Sequence, residues 1–301
     1  ETSGLDQPGV VAVGTPAPPR DLGSASLSAR ASGRLADPGS FTVTQKLDFT
    51  PPRSIPPVFL RLRGDFTLEV FPEGRPQRTL VVSPVSPDFI PIGEVPGLFL
   101  RTLLIAEDAG FWGHRGIDLS ELPSAILTNW SRGGAARGAS TITQQLAKNL
   151  FLSRDRNIGR KLQELSLALL LEATLSKPRI LEIYLNVIEW GPDLYGLRPA
   201  ARHYFGCEPA DLTPAQTAFL VALIPGPVKY QRSFADGTPS PAFRQLVDRL
   251  LVKLRSVDAL SEEAYEAARA EALHVGASPT DAADADAGAG TSTFDPSPAT
   301  R

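Results

Sequence analysis

Regular spacing of apolar residues is missing from the first 57 or so positions of this chain. It then sets in twice, first with a period near two and afterwards with a helical period. Residues 1–57 are rich in Pro, Gly, Ser and Ala, including Pro16, Pro18, Pro19, Pro51, Pro52, Pro56 and Pro57. That composition predicts an arm of wandering, extended chain. Over residues 58–94 the apolar positions Phe59, Leu60 and Leu62, then Phe66, Leu68 and Val70, and finally Leu80 to Val82 beyond a Pro72–Pro76 turn read as short antiparallel strands, a small β accessory element.

From residue 95 to 275 the signals are helical. Asp118 with Glu121, Thr141 with Gln144 and Thr213 with Gln216 fit the capping-box spacing. Pro214 and Pro241 take first helical positions, and Ser176 stands ahead of Lys177 and Pro178. The stretch from Arg160 to Leu175 is apolar around more than half of its circumference, so it is expected as a central helix whose Glu164 and Glu172 are either solvated at a cleft or paired inside. Residues 276–301 lose the pattern again and read as a disordered tail. The fold class is mainly α, preceded by a small β element and a Pro-rich arm.

Composition narrows this picture at three points. A hydrophobic content of 42% over 301 residues suffices for one large or two smaller cores. The single cysteine, Cys207, excludes an internal disulfide and a multi-cysteine metal site, and its thiol reads as inert packing. With no methionine and Glu1 as its first residue, the chain is expected to be part of a longer product whose anchor segment is absent from this chain. The longest uncharged stretch, Leu212 to Val228, holds Pro214, Pro225 and Pro227 and reads as a buried or interfacial helix rather than a membrane span.

Charge points to chemistry. The formal net charge is -3, yet from Arg132 to Lys161 the bases Arg132, Arg137, Lys148, Arg154, Arg156, Arg160 and Lys161 face the single acid Asp155. Cations gathered on a mildly acidic protein suit an anion, and phosphate oxygens best. Overall acidity and the absence of interleaved aromatics argue against nucleic acid.

Three segments bear the candidate groups. Glu107, at the end of an apolar run, is placed to have its pKa raised by desolvation and to act as a base; the bland alternative leaves Glu107 and Asp108 exposed and His114 in a turn. In Gly138 to Asn149 a capped helix start beside Ser140 offers an anion site, against an ordinary surface helix with Gln144 and Gln145 facing water. Arg160 and Glu164, spaced i,i+4, are equally a plain intrahelical pair that contributes about 0.3–0.5 kcal/mol. A P-loop, a dinucleotide fingerprint, a nucleophile elbow and the Ser-x-x-Lys motif are all absent from the sequence.

In order and together, these blocks resemble the peptidoglycan glycosyltransferase family. The resemblance runs through Glu107-Asp108, Phe111, His114 to Asp118, Gly138 to Asn149, Arg160 to Glu164, Ile180 to Asn186, Trp190-Gly191, Tyr195-Gly196 and Ala200 to Gly206. It implies a lysozyme-like, mainly helical domain that polymerises lipid II, with Glu107 as general base and Glu164 as the second essential carboxylate. Lys148 and Arg156 would bind the pyrophosphates with Arg160 and Lys161 nearby. Ser140, Thr141, Gln144, Gln145 and Asn149 would line the cleft, and Phe111 and His114 would shape its wall.

Glu182, Tyr184 and Asn186 fall in a block that the resemblance makes structural support. It further implies attack with inversion, no required cofactor, an optional divalent cation (Mg or Mn), and work at the outer, periplasmic face of a bacterial inner membrane. Partners would be lipid II, lipid-linked glycan and the membrane surface, with transpeptidase or division and elongation proteins beside them. Two departures stand out, Cys207 in place of a usual Lys and Ala139 in place of a common Gly. The resemblance leaves residues 1–94 uncovered, and the chain carries no transpeptidase motif. Leu122, Ile126, Leu127 and Trp130 are expected as an apolar lip towards the bilayer, with core packing as the alternative. A lysozyme-like glycan-cleaving enzyme and an inactive lipid II-binding module are the rival functions.

Overall fold

The computed structural model describes residues 11–13, 23–34, 37–72, 74–118, 140–152 and 158–276. Three short strands form one sheet: β1 (Val11–Val13) runs parallel to β4 (Phe66–Val70), which pairs antiparallel with β5 (Arg78–Val82). β2 (Ser24–Arg34) and β3 (Asp37–Thr50) make a separate antiparallel hairpin. The described residues hold nine α-helices, the first of them ahead of β4: α1 (Pro57–Arg61), α2 (Gly97–Glu107), α3 (Ile142–Phe151), α4 (Ile158–Thr174), α5 (Lys177–Val187), α6 (Leu197–Phe205), α7 (Pro214–Leu223), α8 (Pro241–Ser256) and α9 (Glu262–Ala270). A two-stranded ribbon, Glu189–Gly191 with Leu194–Tyr195, links α5 to α6.

The helix starts named on described residues are where the sequence places them; the start expected at Asp118 with Glu121 lies outside the described residues. Thr213 and Gln216 close a full capping box on α7, Ser176 caps α5, and Ser240 ahead of Pro241 caps α8. Thr141 caps α3 through the Gln144 N–H, but the Gln144 side chain turns elsewhere. α4 is the expected central helix, with Leu167, Leu169, Leu170 and Leu171 buried. α7, the uncharged stretch, is buried along most of its length. Among the described residues no helix is long and apolar enough to cross a membrane.

The N-terminal part differs from its sequence reading. The arm expected over residues 1–57 carries β1, β2 and β3. Strand alternation there is written in small residues: register sets Ser26 against Asp48 and Ser28 against Lys46, and on the other face Ala25 against Phe49 and Leu27 against Leu47. Ser and Ala carry little hydrophobic contrast, so a period of two is faint. The first expected strand is the helix α1 instead: Pro57 takes a first-turn position, and Phe59 and Leu62, three apart, are both fully buried. Phe59 stacks at 5.0 Å on Phe151 of α3.

Nor is the β element a detached module. Phe66, Leu68 and Val82 belong to the same buried core as α2 to α9. Polar contacts tie the two parts together as well. Arg179 of α5 donates through Nε to the Leu62 carbonyl (2.9 Å), and Arg63 donates to the Thr174 carbonyl (3.0 Å). Asn186 holds both backbone groups of Ile90, and Glu182 accepts from the Ile92 N–H. α5 thereby fixes the approach of the chain to α2, whose last residue is Glu107.

Candidate active site

α2 is anchored by Phe99 and Leu103, both without exposed surface, and delivers Glu107 at its C-terminal end. One oxygen of Glu107 accepts a hydrogen bond from the Gln145 amide (Nε2 to Oε2, 2.9 Å). The Gln145 carbonyl in turn accepts from the Tyr184 hydroxyl at 2.9 Å. Burial raises the Glu107 pKa above its ordinary value, and Asp108 adds to the rise; the Gln145 hydrogen bond and the charges of Lys148 and Lys253 act the other way. The result is a carboxylate with heightened proton affinity beside neutral amide and phenol groups.

The neighbouring Asp108 does structural work. Its Oδ1 meets His114 Nε2 at 2.8 Å, and its Oδ2 accepts from the Ile142 N–H at 2.9 Å, a negative charge at the positive end of α3. Gly116 closes the loop: its carbonyl accepts from Thr141 Oγ1 (2.7 Å) and Gln144 Nε2 (3.2 Å). With φ at +85° and a Cβ that would lie 3.0 Å from Glu172 Cγ and 3.1 Å from the Ala168 carbonyl, position 116 requires glycine.

Asp108, His114 and Asp118 are, among the described residues, the one trio whose ligand atoms lie within 4.8 Å of one another. Asp108 and His114 are bonded to one another and to backbone N–H groups. His114 Nδ1 accepts from the Gly116 N–H at 3.0 Å, so Nε2 carries the proton given to Asp108. A metal ion would have to displace that proton and detach Asp108 from the start of α3. Gly110 belongs to the same packing, since a Cβ there would meet Asp118 Oδ2 at 2.6 Å.

At the other end of the site, Glu164 has a side chain only 5% exposed and is held between two cations of its own helix: Lys161 Nζ at 2.5 Å and Arg160 Nη1 at 3.6 Å. Lys161 also donates to Ser140 Oγ (3.0 Å) and Gln144 Oε1 (3.1 Å). All three N–H donors of its ammonium are therefore spent on the protein. Lys148 is different. It lies on α3 one turn beyond Gln144 and Gln145, is accessible to solvent, and makes no ion pair with a described residue. Its ammonium is recessed enough for desolvation to lower its pKa, while Glu164 and Glu107 both act to raise it. One cation thus lies within electrostatic reach of both carboxylates.

The candidate residues therefore sort by position. Glu107, Gln145, Lys148, Glu164, Arg160, Lys161, Ser140 and Gln144 are brought together, and Asn149 is exposed one position beyond Lys148. Phe111, expected on the cleft wall, has no exposed surface; it lies under the ammonium of Lys177, 4.2 Å from its ring centre. His114 and Thr141 have their polar atoms committed to the frame just described, and Gln144 is 1% exposed. These four support the site from beneath: packing two loops and a helix start at one place consumes the donors and acceptors of His114, Thr141 and Gln144 and seals Phe111 inside. Arg156 and the Leu122–Trp130 lip lie outside the described residues.

Two neighbours of Glu107 are not legible as such in the sequence. Tyr184 carries a weak signal, a hydroxyl on an otherwise apolar face of α5. Lys253 of α8 donates to the Ile105 carbonyl at 2.5 Å from 148 positions away, and nothing local marks it.

The profile of the transglycosylase family matches residues 74–253, more than half of the chain. A biosynthetic peptidoglycan transglycosylase of Azoarcus sp. (strain BH72) is 42% identical over 176 residues, which is 58% of this chain and 72% of that protein. One of Brucella suis biovar 1 is also 42% identical, over 180 residues, 58% of this chain and 78% of the other. Among solved structures, penicillin-binding protein 1A from Haemophilus influenzae is matched at a TM-score of 0.35 and 16% identity, over 74% of this chain and 24% of that one. On the family profile and on relatives matched over more than two thirds of their own length, this chain belongs to the transglycosylase family.

Proposed function

We propose that this chain polymerises lipid II into β-1,4-linked glycan, with Glu107 as the base and Lys148 as the principal cation at the leaving group. A sugar hydroxyl is a poor nucleophile, so the attacking oxygen needs a proton acceptor; a lipid diphosphate leaves as an anion and needs positive charge rather than a proton. In the step, the 4-hydroxyl oxygen of the acceptor disaccharide bonds to C1 of the lipid-linked glycan as its proton passes to Glu107. The bond from C1 to the diphosphate oxygen breaks, and its electron pair leaves with the lipid diphosphate. Attack opposite an α-linked diphosphate gives the β product without a covalent enzyme intermediate.

The observation that carries this reading is Lys148, a cation that makes no ion pair with a described residue and is in electrostatic reach of both Glu107 and Glu164. Glu164 then serves by orienting Lys161 and Arg160, whose charge adds to the field at the diphosphate. A divalent cation, where one is used, belongs in this reading to the diphosphate and not to the Asp108–His114–Asp118 trio. The site of action is the outer face of a bacterial inner membrane, where lipid II presents its headgroup, and transpeptidases are the partners that would cross-link the product.

The test is polymer formation from labelled lipid II in detergent by the parent chain and by Glu107→Gln. The expected loss is at least about a hundredfold, the scale of removing a general base. Lipid II retained without polymer from the parent would make the chain a binding module, and soluble fragments released from purified peptidoglycan would make it a hydrolase.

A further inference from the structure

We propose that Tyr184 is a positioning residue for the reaction, a latch whose hydroxyl fixes the side-chain amide of Gln145 so that only its N–H face meets Glu107. This rests on the reading of Glu107 as the base. An ionised carboxylate only accepts hydrogen bonds, so its partner must be the Gln145 NH2 group, and the carbonyl end of that amide then points away. There it meets the Tyr184 O–H, giving a chain of two bonds, each 2.9 Å, that runs in one direction from phenol to amide to carboxylate.

The direction has a chemical consequence. A glutamine amide can turn through a half circle about its last bond, which exchanges a donor for an acceptor at nearly the same place. Turned over, Gln145 would present Oε1 to Glu107 and would favour the protonated carboxyl, the form unable to act as base. The Tyr184 hydroxyl opposes that turn: its oxygen could accept from the reversed NH2 group, but its buried O–H would lose the Gln145 carbonyl that accepts from it.

Tyr184 is suited to the task. It has no exposed surface, and burial, with Glu107 and Asp108 adding to it, raises its pKa well above that of a free phenol. The proton is therefore always present to be donated. On the same helix Glu182 and Asn186 hold the backbone at Ile92 and Ile90, so α5 positions the base from both sides, through the chain leading into α2 and through the amide on α3. The charged groups that act on Glu107 are Asp108 from its own segment, Lys148 from α3 and Lys253 from α8. None of these contacts the Tyr184 hydroxyl, so removing it leaves them in place.

The experiment compares parent, Tyr184→Phe, Gln145→Met and the double variant by kcat and KM on lipid II across pH, and by carbon NMR titration of the Glu107 carboxyl, assigned with Glu107→Gln. The expected result for Tyr184→Phe is a fall in kcat of about tenfold, the effect of one hydrogen bond lost in the transition state, with KM unchanged and the acid limb of the profile moved to higher pH. The double variant should move no further than Gln145→Met alone, since the hydroxyl acts only through the amide. An acid limb and a carboxyl titration unmoved in Tyr184→Phe would overturn the latch, as would additive shifts in the double variant. Should Tyr184→Phe not fold, the half-exposed Gln145→Met must still show the upward shift, and its absence has the same force. A parent chain that makes no polymer sinks the lipid II reading instead, and the carboxyl titration then still decides the latch.

Discussion

Glu107 and Glu164 are both withdrawn from water at one site, but their surroundings are opposite in kind. Glu107 is met by a neutral amide, which a phenol holds in turn; Glu164 is clasped by an ammonium and a guanidinium of its own helix. A carboxylate left with neutral donors keeps an oxygen available for an incoming proton. One that is ion-paired on both oxygens is occupied in holding cations in place. The residue type is the same, so the division of labour is written entirely in the neighbours. It is also what separates this site from a glycosidase pair, in which one carboxyl must donate a proton to a glycosidic oxygen.

Lys148 is the group that addresses both ends, and replacing it should have the largest effect. In the proposed reaction Lys148→Met removes the cation assigned to the diphosphate, so kcat should fall by about 100- to 1,000-fold, the range for removing one preorganised charge stabiliser. Because Lys148 also lowers the Glu107 pKa, the acid limb of the residual activity should move to higher pH. Steady-state kinetics over a pH series checks both. A fall in kcat with the limb unmoved would mean that Lys148 serves the leaving group alone, and that the two ends are electrically separate.

Most helices were legible because their starts are chemical statements: Thr213 with Gln216, Ser176 before Pro178 and Ser240 before Pro241 each satisfy orphan N–H groups. The proximity of the candidate residues was legible too, since Gln145 bonds Glu107 and Lys148 feels both Glu107 and Glu164. Their division into working and supporting groups was not. Gln144 and Gln145 are adjacent, and adjacent helical residues point about 100° apart; one turns to Gly116 and Lys161, the other to Glu107. Lys148 and Lys161 are alike in sequence, and only the position of Ser140 and Gln144 beside Lys161 shows which ammonium is spent. The hairpin of β2 and β3 escaped notice because one strand is built largely of alternating Ser and Ala, which carry little apolar contrast to reveal the strand period.

The contrast between the two acids predicts opposite stability effects for one chemical change. The pKa of Glu107 in the folded state lies above its unfolded value, so between those values the folded state binds more protons, and stability falls as pH rises through the folded pKa. Glu107→Gln removes that loss. It should unfold at a higher temperature than the parent at pH 7, and the difference should close as the pH is lowered to the ordinary glutamate value of 4.5 and below. Glu164→Gln should instead lower stability by about 1–3 kcal/mol, because two cations lose the charge that compensates them. Thermal unfolding of the two variants in parallel gives the signs. If both destabilise at pH 7, the Glu107 carboxylate is not held against its preference and the comparison fails.

The smallest expected effect belongs to Lys253, which tests how far the Glu107 environment extends. Its ammonium donates to the Ile105 carbonyl near the end of α2, where positive charge offsets the helix dipole, and it is the weakest of the charges acting on Glu107. Lys253→Met should therefore move the acid limb slightly upward and cost about two- to threefold in rate below the limb, while leaving the rate above it unchanged. Lys253 is exposed, so its charge acts partly through solvent, and the shift should shrink in roughly 0.5 M salt, where the screening length falls to about 4 Å. A shift that is undiminished by salt would mean that the lysine acts by holding the end of α2 in place, since a hydrogen bond to a backbone carbonyl survives screening that a distant charge does not. No shift at low salt would confine the tuning of Glu107 to its immediate neighbours, Gln145, Asp108 and Lys148.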